Sequence, residues 1–234
     1  MSSSRAVHEY FDKSRSSVYD EKIRISIPGY EALHQMTAQL FRTVLPSDAR
    51  VLLAGVGTGA ELCALGRTAP GWSFIALDVT KDMLDRCRRN AEELGLTDRV
   101  EFVWGAVDTA PRGPYQGAAS ILVSHFLKTV DEKRRFFREI ADRLAPGGAL
   151  ITAELVSGGN VATDDLVMEA WKNTNLSGGI SPAEVKDNFE KRKQFVAEPS
   201  EEELVGLLRE SGFKDVRRFY QAFNFVGHLC LKSR

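Results

Sequence analysis

The segment Val51-Leu52-Leu53-Ala54-Gly55-Val56-Gly57-Thr58-Gly59 constrains this chain more than any other. An apolar run ends in three alternating glycines, and a helical pattern begins at Ala60. That combination predicts a buried strand, a tight turn and a helix. Glycines at such a turn let the backbone approach a flat ligand where any Cβ would collide. A second apolar run, Trp72 to Leu77, ends at Asp78, 19 positions after Gly59. An acid at the tip of the neighbouring strand is placed to accept hydrogen bonds from ribose hydroxyls. Together the two features predict a nucleoside site.

The glycine spacing narrows the ligand. A dinucleotide turn uses G-x-G-x-x-G, with the helix N-terminus aimed at a pyrophosphate. Here the pattern is G-x-G-x-G, and Ala60 stands where the longer motif has its third glycine. There is no Gly-Lys-Ser/Thr sequence, which excludes a P-loop. Adenosine without phosphate fits better. In this stretch the chain resembles the class I S-adenosylmethionine (SAM)-dependent methyltransferases. The resemblance implies SAM as cofactor, S-adenosylhomocysteine (SAH) as product and no metal. It also implies an α/β, Rossmann-like seven-stranded sheet with an antiparallel last strand and helices on both faces.

The rest of the chain is organised to match. Strand patterns fall near 50–55, 72–78, 99–104, 118–124 and 148–155, and helical patterns near 60–69, 80–95 and 131–145. Such alternation predicts a parallel sheet covered on both faces. Residues 1–46 are expected to form a helical lid or substrate segment, broken at Pro28-Gly29, and 47–234 the SAM-binding domain. Residues 158–198 read as a polar, irregular insertion near the substrate cleft, with helical stretches at Thr163–Asn173 and Ser181–Phe195. Ser181-Pro182-Ala183-Glu184 is a capped helix start. Pro199-Ser200-Glu201-Glu202-Glu203 opens another helix, and two strand patterns, Val216–Tyr220 and Phe223–Leu231, close the chain as an antiparallel hairpin. Arg143-Leu144-Ala145-Pro146-Gly147-Gly148 is expected to end a helix and turn into the fifth strand.

Composition excludes several partners. The 234 residues are 43% hydrophobic with net charge −1, so nothing draws the chain to nucleic acid or to an anionic membrane. The clusters Arg86, Arg88, Arg89 and Lys133, Arg134, Arg135 read as solvated helix faces. No apolar run approaches the roughly 20 residues of a membrane span. Met1-Ser2-Ser3-Ser4-Arg5 lacks the apolar region of a signal peptide, so a cytoplasmic location is expected. Cys63, Cys87 and Cys230 have no metal-ligand spacing and read as small core residues.

The resemblance assigns roles by position. Gly55, Gly57 and Gly59 would line the methionine side of SAM, and Asp78 would hold the ribose. Val79 and Met83 would cover the adenine, with Thr80 capping the helix between them. Ala106 and Val107 follow the third strand, where the family often has an acid and an apolar residue. With Ala106 in the acid's place, adenine would be held by backbone or by Asp108. Ala54 likewise replaces the acid often found before the first glycine. Ser124-His125-Phe126 ends the fourth strand, so Ser124 is expected at the cofactor. His125 is expected at the cleft as a candidate base, because histidine exchanges protons near neutral pH. His8, His34 and His228 read as surface or packing residues. For the acceptor pocket the candidates are Tyr19, Arg24, Trp171, Tyr220 and Phe223.

Three short motifs narrow the resemblance. Tyr19-Asp20-Glu21-Lys22, Ile27-Pro28-Gly29-Tyr30 and Phe219-Tyr220-Gln221-Ala222-Phe223-Asn224-Phe225 resemble the carboxy-SAM synthases that serve tRNA uridine modification. That likeness implies a homodimer and places Tyr30 at the amino-acid end of SAM. In that family an arginine reaching across the dimer holds the extra carboxylate. Counting back from Gly212-Phe213 puts Phe189 at its position, with Arg192 displaced. The sequence therefore favours methyl transfer to an oxygen, nitrogen or sulfur of a small acceptor. The alternatives are carboxy-SAM synthesis and a SAM-binding protein without catalysis.

Overall fold

The computed structural model describes residues 13–159 and 161–233. The first part of the expected lid, with His8, lies outside them. Two helices lead, α1 (Lys13–Ser26) and α2 (Tyr30–Val44). They are separated at Gly29, whose φ of +74° suits glycine. The core then alternates β1 (Arg50–Ala54), α3 (Ala60–Thr68), β2 (Ser73–Asp78), α4 (Lys81–Glu93), β3 (Val100–Trp104), β4 (Tyr115–Ile121), α5 (Val130–Arg143) and β5 (Leu144–Leu155). Helices α6 (Val161–Ser177), α7 (Pro182–Phe195) and α8 (Glu201–Glu210) follow, then β6 (Phe213–Ala222) and β7 (Phe225–Lys232).

The strands form one sheet in the order β3-β2-β1-β4-β5-β7-β6. Strands β1 to β5 run parallel, β7 runs antiparallel to β5, and β6 antiparallel to β7. This is the expected fold. Strand β1 lies between β2 and β4, which explains its unbroken apolar sequence. Its side chains alternate between two cores. Val51 and Leu53 pack with Phe41 of α2, Leu62 of α3 and Leu84 of α4. Leu52 and Ala54 pack with Phe137 of α5 and Leu204 of α8.

Helix starts follow local chemistry. Thr129 and Ser200 each make a reciprocal capping box, with Glu132 and Glu203. Ser181 Oγ accepts from Glu184 N–H at 3.3 Å, with Pro182 opening the first turn.

Three expectations need correcting. The Pro146-Gly147-Gly148 segment belongs to β5 rather than preceding it. Tyr115 pairs with Leu144 and Gly117 with Ala149, so the intervening residues of β5 bulge between paired positions. The helical stretches expected within 158–198 are present as α6 and α7, and their apolar positions pack inward: Trp171, Val185 and Phe189 are buried. Thr80 stands at the α4 N-cap, but its side chain makes no capping bond and Oγ1 is buried without a partner. Asp78 Oδ1 takes the Thr80 N–H instead, at 2.7 Å. Lys133 is not on a solvated face. It is 3% exposed, and its Nζ donates to Ser124 O at 2.6 Å and Ala197 O at 3.2 Å. Among the described residues, no helix is long and apolar enough to cross a membrane.

Candidate cofactor cleft and adjoining cavity

A cavity of about 320 Å³ opens at the carboxyl ends of β1, β2 and β4. The β1–α3 turn forms one wall. Gly55 has φ +79°, and a Cβ there would lie 2.5 Å from Val123 Cγ2. Gly57 has φ +54° and no atom within 4 Å of where its Cβ would stand. Its N–H donates to Asp78 Oδ2 at 2.9 Å, so the turn and the strand-tip acid hold each other. The Asp78 carboxylate, an acceptor of the kind that ribose hydroxyls need, thus stands on the cavity wall with the Gly57 and Thr80 N–H groups fixing its orientation. Gly59 is not on the wall; a Cβ there would lie 2.7 Å from Cys87 Sγ, so it lets α3 approach α4.

Val79, Met83, Ala106, Val107 and Asp108 line the same cavity. Ser124 does not. It is 1% exposed, and its backbone serves Lys133 and Glu154. Tyr30 and His34 lie on the wall with their rings edge to face, centroids 4.5 Å apart. His34, read as surface or packing, is buried, and neither ring nitrogen has a hydrogen-bond partner. Burial lowers it to about 4. Glu61, in the first turn of α3, also lines the cavity; it is 4% exposed, and Oε1 has no partner. Burial raises it to about 8, opposed by its own backbone N–H and assisted by the charge of Asp78. The Tyr30 hydroxyl is raised well above its ordinary value, first by burial, then by the charges of Tyr19 and Glu61.

A second cavity, of about 180 Å³, shares Tyr19, Leu122 and Phe126 with the first. Leu122, at the end of β4, has φ +62°, a strained conformation for a branched side chain, and such strain concentrates at functional sites. The walls are mostly apolar: Ile23, Ile27, Leu155, Trp171, Phe189, Val196 and Phe225. Polar groups include His125, Asn188, the ion pair Lys22–Glu184 and Arg192, which is paired with Glu198 outside the wall. Arg192 also lies over Trp171, 5.5 Å from its ring centroid.

His125 sits against Glu154, which is 1% exposed. Glu154 Oε1 accepts from Ser124 N–H at 3.2 Å and Thr152 Oγ1 at 2.9 Å. Oε2 accepts from His125 N–H at 3.0 Å and lies 3.3 Å from His125 Nδ1. Burial alone would raise this carboxyl; the hydrogen bond and charge of His125, then Lys133, bring it below its ordinary value. Leu155 N–H also lies 3.4 Å from Nδ1, a contact that requires the opposite tautomer. The ionised carboxylate is the stronger partner, so the proton belongs on Nδ1 and Nε2 remains as the proton acceptor.

Of the acceptor candidates, the structure brings Tyr19 and Trp171 to the second cavity. The other three lie on neither cavity wall. Arg24 is exposed and donates to Glu31 at 2.6 Å. Tyr220 donates to Pro28 O at 2.6 Å and ties the last hairpin to the α1–α2 junction. Phe223, at φ +49°, forms the β6–β7 turn. Glu61, His34, Glu154 and Lys133 escaped the sequence reading. Only Glu154 carried a signal, as a lone acid within the apolar run Ile151 to Val156. Among the described residues, no group of three or more His, Cys, Asp or Glu could hold a metal ion.

The cleft fits SAM chemically: a carboxylate at the strand tip, a glycine turn open on its ligand side, and an apolar slot at Val79, Met83 and Val107. Residues 51–148 match the family described as "Methyltransferase domain". The fold is the Rossmann-like one of class I SAM-dependent methyltransferases, and the family match covers the part of it that builds the cleft. The chain is also similar along nearly its whole length to carboxy-S-adenosyl-L-methionine synthases. The Erwinia tasmaniensis enzyme is 25% identical, covering 95% of this chain and 91% of that protein. The Hydrogenovibrio crunogenus enzyme is 24% identical, covering 97% and 91%. Among solved structures, a SAM-dependent methyltransferase of Methanosarcina mazei superposes with a TM-score of 0.62 at 17% identity, covering 83% of this chain and 97% of that one. The mitomycin 7-O-methyltransferase MmcR gives a TM-score of 0.62 at 19% identity, covering 87% and 54%.

Proposed function

We propose that the protein transfers a methyl group from SAM to an oxygen, nitrogen or sulfur of a small, partly apolar acceptor in the second cavity. The observation that carries this reading is the shared wall: Tyr19, Leu122 and Phe126 border both cavities, with His125 on the acceptor side. Bound SAM supplies a methyl already activated by its sulfonium. The protein has to seat the two reactants, keep water out and hold a proton acceptor near the junction. Seating is the larger share, at about 7–11 kcal/mol. A base contributes about 10²- to 10⁴-fold.

In this reading Gly55, Gly57, Asp78, Val79, Met83, Ala106 and Val107 hold the nucleoside, and Tyr30 faces its amino-acid end. Helices α1 and α2 act as the lid over both cavities, since Tyr19, Ile23, Tyr30 and His34 supply their walls, with Ile27 from the link between them. His125 accepts the acceptor's proton on Nε2, and Glu154 keeps Nδ1 protonated. The partner is a small molecule, and neither nucleic acid nor a membrane takes part.

The second reading is carboxy-SAM synthesis, favoured by the similarity to synthases over 95% of the chain. Two features weigh against it. Phe189, at the position matched to the family's carboxylate-holding arginine, is buried against Trp171, with ring centroids 4.7 Å apart. The nearby Arg192 is already paired with Glu198. Incubation with methyl-labelled SAM and a panel of phenols, amines and thiols tests the first reading. Label in one acceptor class supports it. A carboxylated sulfonium formed when prephenate is added replaces it with the second.

A further inference from the structure

Two polar side chains on the wall of the first cavity do nothing for the fold that their burial would justify. Glu61 is 4% exposed and His34 5% exposed; Glu61 Oε1 and both His34 ring nitrogens have no hydrogen-bond partner. Among the described residues the Glu61 carboxyl meets only its own backbone N–H, and a buried acid without a cation is costly, since such groups are ordinarily paired. The neighbouring charge acting on Glu61 is that of Asp78, which opposes its ionisation. Asp78 itself is engaged by the N–H groups of Gly57 and Thr80. Nothing at the end of β1 could do the work of Glu61, because Ala54 stands before the first glycine. The same wall therefore holds an acid with an unpartnered oxygen and a histidine with two unpartnered ring nitrogens.

We propose that Glu61 receives the primary ammonium of a ligand's α-amino-acid end, and that His34, with Tyr30, receives the carboxylate of the same end. The assignment rests on the SAM reading of the cleft and adds to it a zwitterion receptor built on α2 and α3. An ammonium beside Glu61 converts an uncompensated buried acid into a charge-assisted pair. The neutral imidazole of His34 can present an N–H to a carboxylate oxygen. The receptor makes the cleft selective for adenosyl ligands that keep the amino-acid end over those that have lost it.

The test is calorimetric titration of wild type and Glu61→Gln with two probes, SAH and 5′-methylthioadenosine, which lacks the amino-acid end. Wild type is expected to bind SAH at least about tenfold more tightly than methylthioadenosine. In E61Q the SAH affinity should fall about ten- to a hundredfold, with methylthioadenosine within about twofold of wild type. Unchanged methylthioadenosine binding also shows that the variant is folded. SAH binding unaltered in E61Q, or equal losses for both ligands, overturns the assignment and leaves the SAM reading standing. Wild type that binds neither ligand overturns both. Should E61Q fail to fold, wild type decides alone: SAH no tighter than methylthioadenosine refutes the receptor.

Discussion

Replacing Glu154 with glutamine probes the junction without changing its shape. The carboxylate accepts from Ser124 N–H and Thr152 Oγ1 on Oε1 and from His125 N–H on Oε2, which also lies 3.3 Å from His125 Nδ1. Glutamine must put an NH₂ where one oxygen stands. In either orientation a backbone N–H, of Ser124 or of His125, then faces a donor. An unsatisfied buried donor costs about 1–3 kcal/mol. Lys133, buried and pushed down by its own burial, also loses the negative charge that raises it. Breaking one partner from a buried charge pair costs about 3–5 kcal/mol, and the terms overlap, so we expect a loss of about 3–5 kcal/mol in all. Urea unfolding with a slope of about 2 kcal/mol per molar would show the midpoint falling by about 1.5–2.5 M. With the NH₂ toward Nδ1, the imidazole also switches tautomer and Nε2 ceases to be an acceptor. A loss under about 1 kcal/mol would refute the charged network at Glu154.

The remaining predictions concern the same two cavities. His125→Ala should lower turnover by about 10²- to 10⁴-fold without abolishing it, and unchanged turnover in a labelled-methyl assay eliminates the base role. Gly57→Ala should fold with a cost of about 1 kcal/mol while weakening SAH binding, because its Cβ meets no protein atom. Gly55→Ala should lose more stability than Gly57→Ala, since its Cβ would stand 2.5 Å from Val123; equal melting temperatures would contradict this. Glu61, raised from 4.5 to about 8, contributes stability that is present below pH 4.5 and lost as pH rises toward 8. His34, lowered from 6.5 to about 4, has the opposite slope, with stability lost as pH falls from 6.5 to 4. The two offset between pH 4.5 and 6.5, so wild type without ligand should lose stability mainly from pH 6.5 to about 8. Glu61→Gln should abolish that decline in a series of denaturant midpoints, and a decline that persists would contradict the burial of the charged acid.

The parts of the structure that follow short-range rules were legible in the sequence. The Gly55-Gly57-Gly59 turn, Asp78 and the alternation of strand and helix depend on backbone geometry and side-chain period, which neighbouring residues encode. What stayed hidden depends on which distant surface covers a residue. Glu61 reads as a first-turn acid favoured by the helix dipole, and only the packing of α2 over α3 makes it a buried wall residue. Lys133 reads as one of three cations on a polar face, yet it reaches carbonyls of Ser124 and Ala197 from that helix. The Pro146-Gly147-Gly148 segment reads as a turn because its bulge is defined by the register with β4, which no local pattern reports. The aromatic character of Tyr220 and Phe223 suits an acceptor pocket, but hairpin geometry directs Tyr220 to Pro28 and leaves Phe223 in a turn.

The central claim is that the cleft at the ends of β1, β2 and β4 is a SAM site, and calorimetric titration of SAH into the purified protein tests it most directly. The account predicts one site per chain with a Kd of about 1 μM or tighter, equivalent to about −8 kcal/mol. Absence of binding to SAH and SAM alike, at ligand concentrations of about 1 mM, would contradict it.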